Sequence, residues 1–185
     1  MGKFSQYNID LKKLPDQTTS YSFELNQKFF DAIDHEDVRK GNVKAELTVT
    51  KSRGAYEFDI NLFGVVNIPC DRCLDEMDQE IDTTNRLVVK LGEEYFEESD
   101  EIVIIPEDEG AINIAWYLYE FIVLNIPIKH VHRPDMCNKA MMVEYRKYQA
   151  VPISDDDDEA EDDLDDASEK ETDPRWDALK KLKNK

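Results

Sequence analysis

Glycine is scarce in this chain, with six in 185 residues. None builds the Gly-rich turn that cradles a phosphate between a strand and a helix, and no Gly-x-Ser-x-Gly nucleophile elbow occurs. Two common routes to nucleotide and acyl-transfer chemistry are thereby removed. Basic charge is also short: 23 lysines and arginines face 42 aspartates and glutamates, a formal net charge of -19. Such a balance disfavours indiscriminate binding to nucleic acid, which draws on cations that release counterions from phosphates. It suits a basic protein partner, or simply a well-solvated surface. Carboxylate pairs are so abundant that no single pair marks an acid–base site. His35, set in Asp34-His35-Glu36-Asp37, reads as an exposed polar turn. The expected class is a non-enzymatic binding protein.

A basic n-region followed by an apolar stretch is missing after Met1, so no secretory signal is visible and a cytoplasmic location is expected. Long apolar runs are missing as well. Ile112 to Ile126 is interrupted by Glu120 and stopped by Pro127. As a helix it would span about 22 Å, short of the roughly 30 Å bilayer core, so no membrane contact is expected. Three cysteines, an odd number, in a chain without an export signal argue against a disulfide framework.

What is present reads as an α+β domain over residues 1–152. Phe4, Tyr7, Ile9 and Leu11, then Tyr21, Phe23 and Leu25, alternate weakly around Pro15-Asp16, which fits one or two strands. Phe29, Phe30 and Ile33 fit a short helical turn. Alternation is clean in Val43, Ala45, Leu47 and Val49 and again in Tyr56, Phe58, Ile60 and Leu62, with Ser52-Arg53-Gly54 between them. That is a hairpin signal. A third strand reaches Ile68, and Leu87, Val89 and Leu91 resume a strand before Gly92. Polar residues 93–101 precede the apolar run Ile102 to Ile105 and a loop from Pro106 to Gly110. A helix apolar nearly all round follows from about Asn113, a candidate cap, to Asn125. Such a helix belongs buried under a sheet. A further helix fits Lys139 to Tyr148. The expected architecture is a mainly antiparallel twisted sheet, or a partly closed β-barrel, covered by one buried apolar helix.

Residues 153–172 read as a disordered acidic linker. Between Asp155 and Glu171 twelve acids face Lys170 alone, a net charge of -11 with too little apolar surface to fold. Residues 173–185 read as a short amphipathic helix: Asp173 caps, Pro174 suits the first position, Trp176, Leu179 and Leu182 recur at spacing three, and Lys180, Lys181 and Lys183 suit its C-terminal end.

Chemistry concentrates in Cys70-Asp71-Arg72-Cys73, placed at a turn between strands. Two thiolates at this spacing can face one metal ion, and His132 and Cys137 can supply the third and fourth ligands, giving a closed Cys3His site for one structural zinc. Metal-free buried thiols are a second reading. Thiol redox or metal handling through Cys70 and Cys73 is a third, opposed by the antiparallel β context, because exchange sites lie at a helix N-terminus that lowers the thiol pKa. Arg72 is expected either to reach outward to a phosphate or carboxylate, or to pair with Asp71 or Asp75.

Ile68-Pro69-Cys70-Asp71-Arg72-Cys73-Leu74 resembles the Cys-x-Arg-Cys signature of the YceD family, named for accumulation of large-subunit ribosomal RNA. The likeness continues through Ile112-Asn113-Ile114, the apolar helix ending in Leu124-Asn125-Ile126-Pro127, the His132-x4-Cys137 segment, and Asp173-Pro174-Arg175-Trp176 near the C-terminus. Asn113 stands where family members usually carry Asp, and Glu120 is the one acid of a helix that often holds several. The resemblance implies a bacterial or organellar accessory factor for large-subunit rRNA accumulation. Its expected partner is a precursor of the large subunit, met through rRNA or a basic ribosomal protein. Arg72, Arg133, Lys139, Arg146, Lys147 and Trp176 are the candidate contact residues.

Overall fold

The structure is a computed structural model that describes residues 2–15, 18–52, 54–133 and 136–148. The chain divides into two units, 1–149 and 150–185, and all described residues belong to the first. The linker at 153–172, the helix at 173–185 and Trp176 therefore lie outside the described residues, as does Arg53.

Six strands form one open sheet. In chain order these are β2 (Thr19–Leu25), β3 (Lys40–Ser52), β4 (Ala55–Pro69), β5 (Glu76–Gly92), β6 (Phe96–Ser99) and β7 (Ile102–Pro106), arranged β2-β3-β4-β5-β7-β6. A separate two-stranded sheet pairs β1 (Asn8–Asp10) with β8 (Ala111–Asn113). Three α-helices are described: α1 (Gln27–Ile33), α2 (Ala115–Asn125) and α3 (Lys139–Tyr148). The α+β expectation holds in its open-sheet form.

The period-two pattern explains the middle of the sheet. On β3 the buried positions are Val43, Ala45, Leu47 and Val49, and on β4 they are Tyr56, Phe58, Ile60, Leu62, Val66 and Ile68. Because side chains alternate across a strand, each set falls on one face. The two expected strands through Leu62 and Ile68 are a single strand, β4, whose inward positions continue through Gly64. A Cβ at Gly64 would lie 2.3 Å from the Asn42 carbonyl oxygen, so only glycine lets β3 and β4 approach this closely where the sheet coils.

Two strand assignments escaped the pattern. The first half of β5, from Glu76 to Arg86, buries only Ile81, because its alternate positions Met77, Gln79, Thr83 and Asn85 are mostly polar and only half-buried. β6 buries nothing and lies at the sheet edge, inside the acidic stretch that reads as loop. One ladder is also parallel: β7 returns beside β5, pairing Val88 with Ile102 through Gly92 with Pro106.

The inward face of the sheet carries one continuous apolar core. α1 contributes Phe29 and Phe30 against β2 and β3, and α2 contributes Ala115, Leu118, Tyr119 and Ile122, packing against β5. At roughly 1.5–3 kcal/mol per fully buried large side chain, these residues dominate the favourable side of folding. The N-cap of α2 is Ile114 rather than Asn113, but from one position earlier the Asn113 side-chain oxygen accepts the Ala115 N–H at 3.1 Å and serves one orphan donor of the first turn. The Tyr119 hydroxyl accepts the buried Val38 N–H at 3.3 Å and fixes the α1–β3 connection to α2. Burial of α2 is one-sided, however: Trp116 remains 46% and Leu124 80% exposed. No helix among the described residues is long and apolar enough to cross a membrane.

Candidate metal centre

The long β4–β5 hairpin ends in a six-residue turn, 70–75, that holds both cysteines of the Cys-x-x-Cys pair. Inside it the Cys70 N–H donates to the Asp75 carbonyl and the Leu74 N–H to the Cys70 carbonyl, each at 2.9 Å. Leu74 takes a φ of 62°, a left-handed conformation that turns the chain back toward β5.

The second half of the centre follows α2. Pro127 cannot continue a helix, and the chain beyond it lies against the cysteine turn. Asp71 ties the two segments together. Its N–H donates to the His130 carbonyl at 2.9 Å, its carboxylate accepts the His130 N–H at 2.8 Å, and the His130 Nε2 lies 3.3 Å from the same carboxylate. The His130 Nδ1 donates to the Pro127 carbonyl at 3.1 Å. Sequence alone offers Asp71 only as a partner for Arg72 and assigns no role to His130. Their position between and beside candidate ligands was the available signal for this clamp. Arg72, for which an ion pair with Asp71 or Asp75 was one expectation, makes none among the described residues.

The clamp brings four donors to one point. Cys73 Sγ lies 3.3 Å from His132 Nδ1, and Cys137 Sγ lies 3.9 Å from both Cys70 Sγ and His132 Nδ1. All four ligand atoms fall within 4.8 Å of one another. Zinc bonds of about 2.3 Å to sulfur and about 2.0 Å to nitrogen, arranged tetrahedrally, require neighbouring donors about 3.3–3.8 Å apart. The donor set fits such an ion with small adjustments. Cys70 and Cys73 are 0% and 1% exposed, and all three cysteines are free thiols.

Electrostatics within the cluster are uneven. Burial pushes the Cys70 thiol up, but N–H groups of Arg72 at 3.5 Å and His132 at 3.4 Å, joined by that of Cys73, point at its sulfur and hold its pKa at about 6. Cys137 is driven the other way, to about 11, by desolvation and then by the adjoining Cys70 and Cys73 sulfurs. One thiolate is thus favoured and the next is resisted. A divalent cation relieves that conflict by adding positive charge between the sulfurs.

The proposed contact residues distribute around this centre. Arg72 lies between the first two donors and is partly exposed; Arg133, next to His132, is exposed. Lys139, Arg146 and Lys147 are exposed on α3, which begins two residues after Cys137, and Lys147 pairs with Glu144 at 2.7 Å. The Asn138 side chain accepts the Ala140 N–H at 3.0 Å and starts that helix.

The family model described as "Large ribosomal RNA subunit accumulation protein YceD" matches residues 58–183, well over half of the chain. The chain belongs to the YceD family. Within the described residues the match runs from β4 through α3 and so takes in all four candidate metal donors, while β1, α1, β2 and β3 precede it. No curated protein and no solved structure gives a significant match. The YceD description names an accumulation factor for large-subunit rRNA and no reaction.

Proposed function

We propose that this YceD-family chain is a non-enzymatic factor for large-subunit rRNA accumulation, binding a subunit precursor through rRNA or a basic ribosomal protein. One structural zinc on Cys70, Cys73, His132 and Cys137 fixes its contact surface. The observation that carries the reading is the family match over residues that converge into a four-donor site. Four protein ligands leave zinc no open position, which favours cross-linking over catalysis. The ion would join the β4–β5 turn to the segment that leads into α3.

Chain position supports the choice of contact residues. In a protein of net charge -19, Arg72, Arg133 and Lys139 lie within two residues of a metal donor, and Arg146 and Lys147 follow on α3. A site that orders these cations next to one another offers phosphates a local positive field despite the acidic whole. The domain boundaries that accompany this reading are a folded part to residue 152, an acidic linker over 153–172, and an amphipathic C-terminal segment that includes Trp176.

Thiol redox chemistry is the second reading, and the lowered pKa of Cys70 favours it. Burial of both Cys70 and Cys73 opposes it, since exchange requires direct approach to sulfur.

The test is affinity purification of the tagged full chain from growing cells at graded salt, together with zinc content and thiol titration. Large-subunit precursors or basic ribosomal proteins should be recovered at low salt, with one zinc per chain and unreactive cysteines. Recovery of neither partner class would overturn the binding reading. A zinc-free protein whose Cys70 and Cys73 cycle readily as a disulfide would support redox chemistry instead.

A further inference from the structure

The exposed flank of α2 forms one wall of a groove that the metal centre does not use. Its cavity volume is about 1000 Å³, and its floor includes Val103 and Ile105 of β7. Across from α2 stand Tyr95 and residues of the edge strand β6. Part of the accessible groove is apolar: Trp116 and Tyr95 expose about half their surface, Leu124 most of its surface, and Tyr117 and Phe121 are partly covered. The Tyr95 and Tyr117 hydroxyls meet at 3.3 Å and connect its two sides.

Charge decides what such a groove accepts. Asp37, Glu97, Asp100, Glu109 and Glu120 line it, whereas no lysine or arginine occurs among its described lining residues. Asp100 and Glu109 are exposed and have no ion-pair partner among the described residues. Glu97 accepts the Tyr95 hydroxyl and Glu120 the Trp116 indole N–H, each at 2.7 Å, so both carboxylates sit beside accessible aromatic rings. An RNA strand would bring phosphates against these acids. A lysine- or arginine-rich peptide would bring opposite charge to them, and aliphatic stems or an aromatic anchor to Trp116 and Tyr95.

We propose that the groove between α2 and β6 is a docking site for a cationic segment of a partner protein that also carries an apolar anchor. This deepens the proposed function by assigning the basic-protein contact to a surface separate from the Arg72 and α3 cations. Lysine or arginine side chains of the segment lie against Glu97, Asp100 and Glu109, and its apolar residue fills the space beside Trp116, Phe121 and Leu124.

The probe is a synthetic twelve-residue peptide of alternating lysine and arginine with one central phenylalanine, titrated into the full chain carrying Trp176→Phe so that fluorescence reports Trp116. Saturable quenching is expected, with affinity falling at least tenfold between 50 and 300 mM salt. Asp100→Lys combined with Glu109→Lys should weaken binding at least tenfold, with the circular dichroism spectrum unchanged. A phenylalanine-to-glycine peptide should bind at least fivefold more weakly. No saturation, equal affinity of the Asp100→Lys, Glu109→Lys protein, or saturable quenching of Trp116 by a poly-uridine strand in the absence of peptide would overturn the proposal. If the double variant loses the peptide but still recovers all ribosomal partners from cells, the groove binds cations and its ribosomal assignment fails. If the wild type recovers no ribosomal partner yet binds the peptide, the assembly reading fails and the groove stands.

Discussion

Cys137 is the candidate donor whose proton resists removal, and this gives the candidate metal centre a measurable chemistry. With pKa values of about 6 for Cys70 and about 11 for Cys137, the metal-free cluster at pH 7.5 holds Cys70 mainly as thiolate and Cys137 as thiol. Zinc takes thiolate sulfur, so binding must release the Cys137 proton. Apparent affinity then weakens as pH falls, by about tenfold per pH unit for each proton released. Calorimetric titrations at pH 7.5 in two buffers of different ionisation enthalpy should show at least one proton leaving per zinc. Cys137→Ser should reduce that number and weaken binding. Equal apparent enthalpies in both buffers would contradict the assignment of Cys137 as a ligand. The four donors themselves were legible in the sequence, because two closely spaced pairs are a local signal. The Asp71 clamp was not, since nothing local says that the turn at 70–75 lies against residue 130.

Among the elements, β3 and β4 show how pattern and backbone combine. Alternation identified both strands but could not reveal the close approach at Gly64, where a Cβ would lie 2.3 Å from one backbone atom of β3 and 2.7 Å from another. Gly64→Ala is expected to destabilise the protein by about 3 kcal/mol, combining an unfavourable backbone conformation with overpacking. Gly54, at φ 89° with nothing within 4 Å of the added atom, supplies the control. Gly54→Ala should cost only about 1 kcal/mol, from backbone strain alone. Urea denaturation of the two variants checks the order, and equal midpoints would refute it. The elements that sequence reading missed have a shared cause. Neither Glu76 to Arg86 nor β6 has a buried stripe to impose period-two hydrophobicity, so their strand character comes from ladder hydrogen bonds that composition does not record. α2 is buried against the sheet as expected, through Ala115, Leu118, Tyr119 and Ile122, but only on one face. Its apolarity nearly all round did not reveal which residues stay exposed, and Trp116 and Leu124 line a groove with residues of β6 and β7.

For the whole molecule, charge is distributed by segment. The run from Asp155 to Glu171 carries -11 of the total -19, leaving -8 for everything else. If the run screens a basic partner, its removal flattens the salt dependence of binding without touching the core. Deleting residues 155–171 should leave the thermal midpoint of the protein within about 2 °C, since the apolar burial that sets stability lies elsewhere. The affinity for a basic ribosomal protein should vary less steeply between 50 and 300 mM salt. A lowered midpoint, or an unchanged salt slope, would assign the run a different role. Family membership was legible from the motifs. The mainly antiparallel sheet was legible too, but the parallel β5–β7 ladder was not, because the return of β7 beside β5 is decided by long-range packing.

The pairing of β1 with β8 also sets a timetable. Asn8, Ile9 and Asp10 find their partners in Asn113, Ile112 and Ala111. On a ribosome adding about 5–20 residues per second, roughly a hundred intervening residues take about 5–20 s to appear. Through that interval β1 has no ladder to join, although Tyr7 can already meet Phe23 and Phe29, each 5.3 Å from it in the finished core. Closing so long a loop carries an entropic cost and belongs late in folding. β1 is therefore among the last elements to pair, and until β8 appears its backbone hydrogen-bonding groups are open to a nascent-chain chaperone.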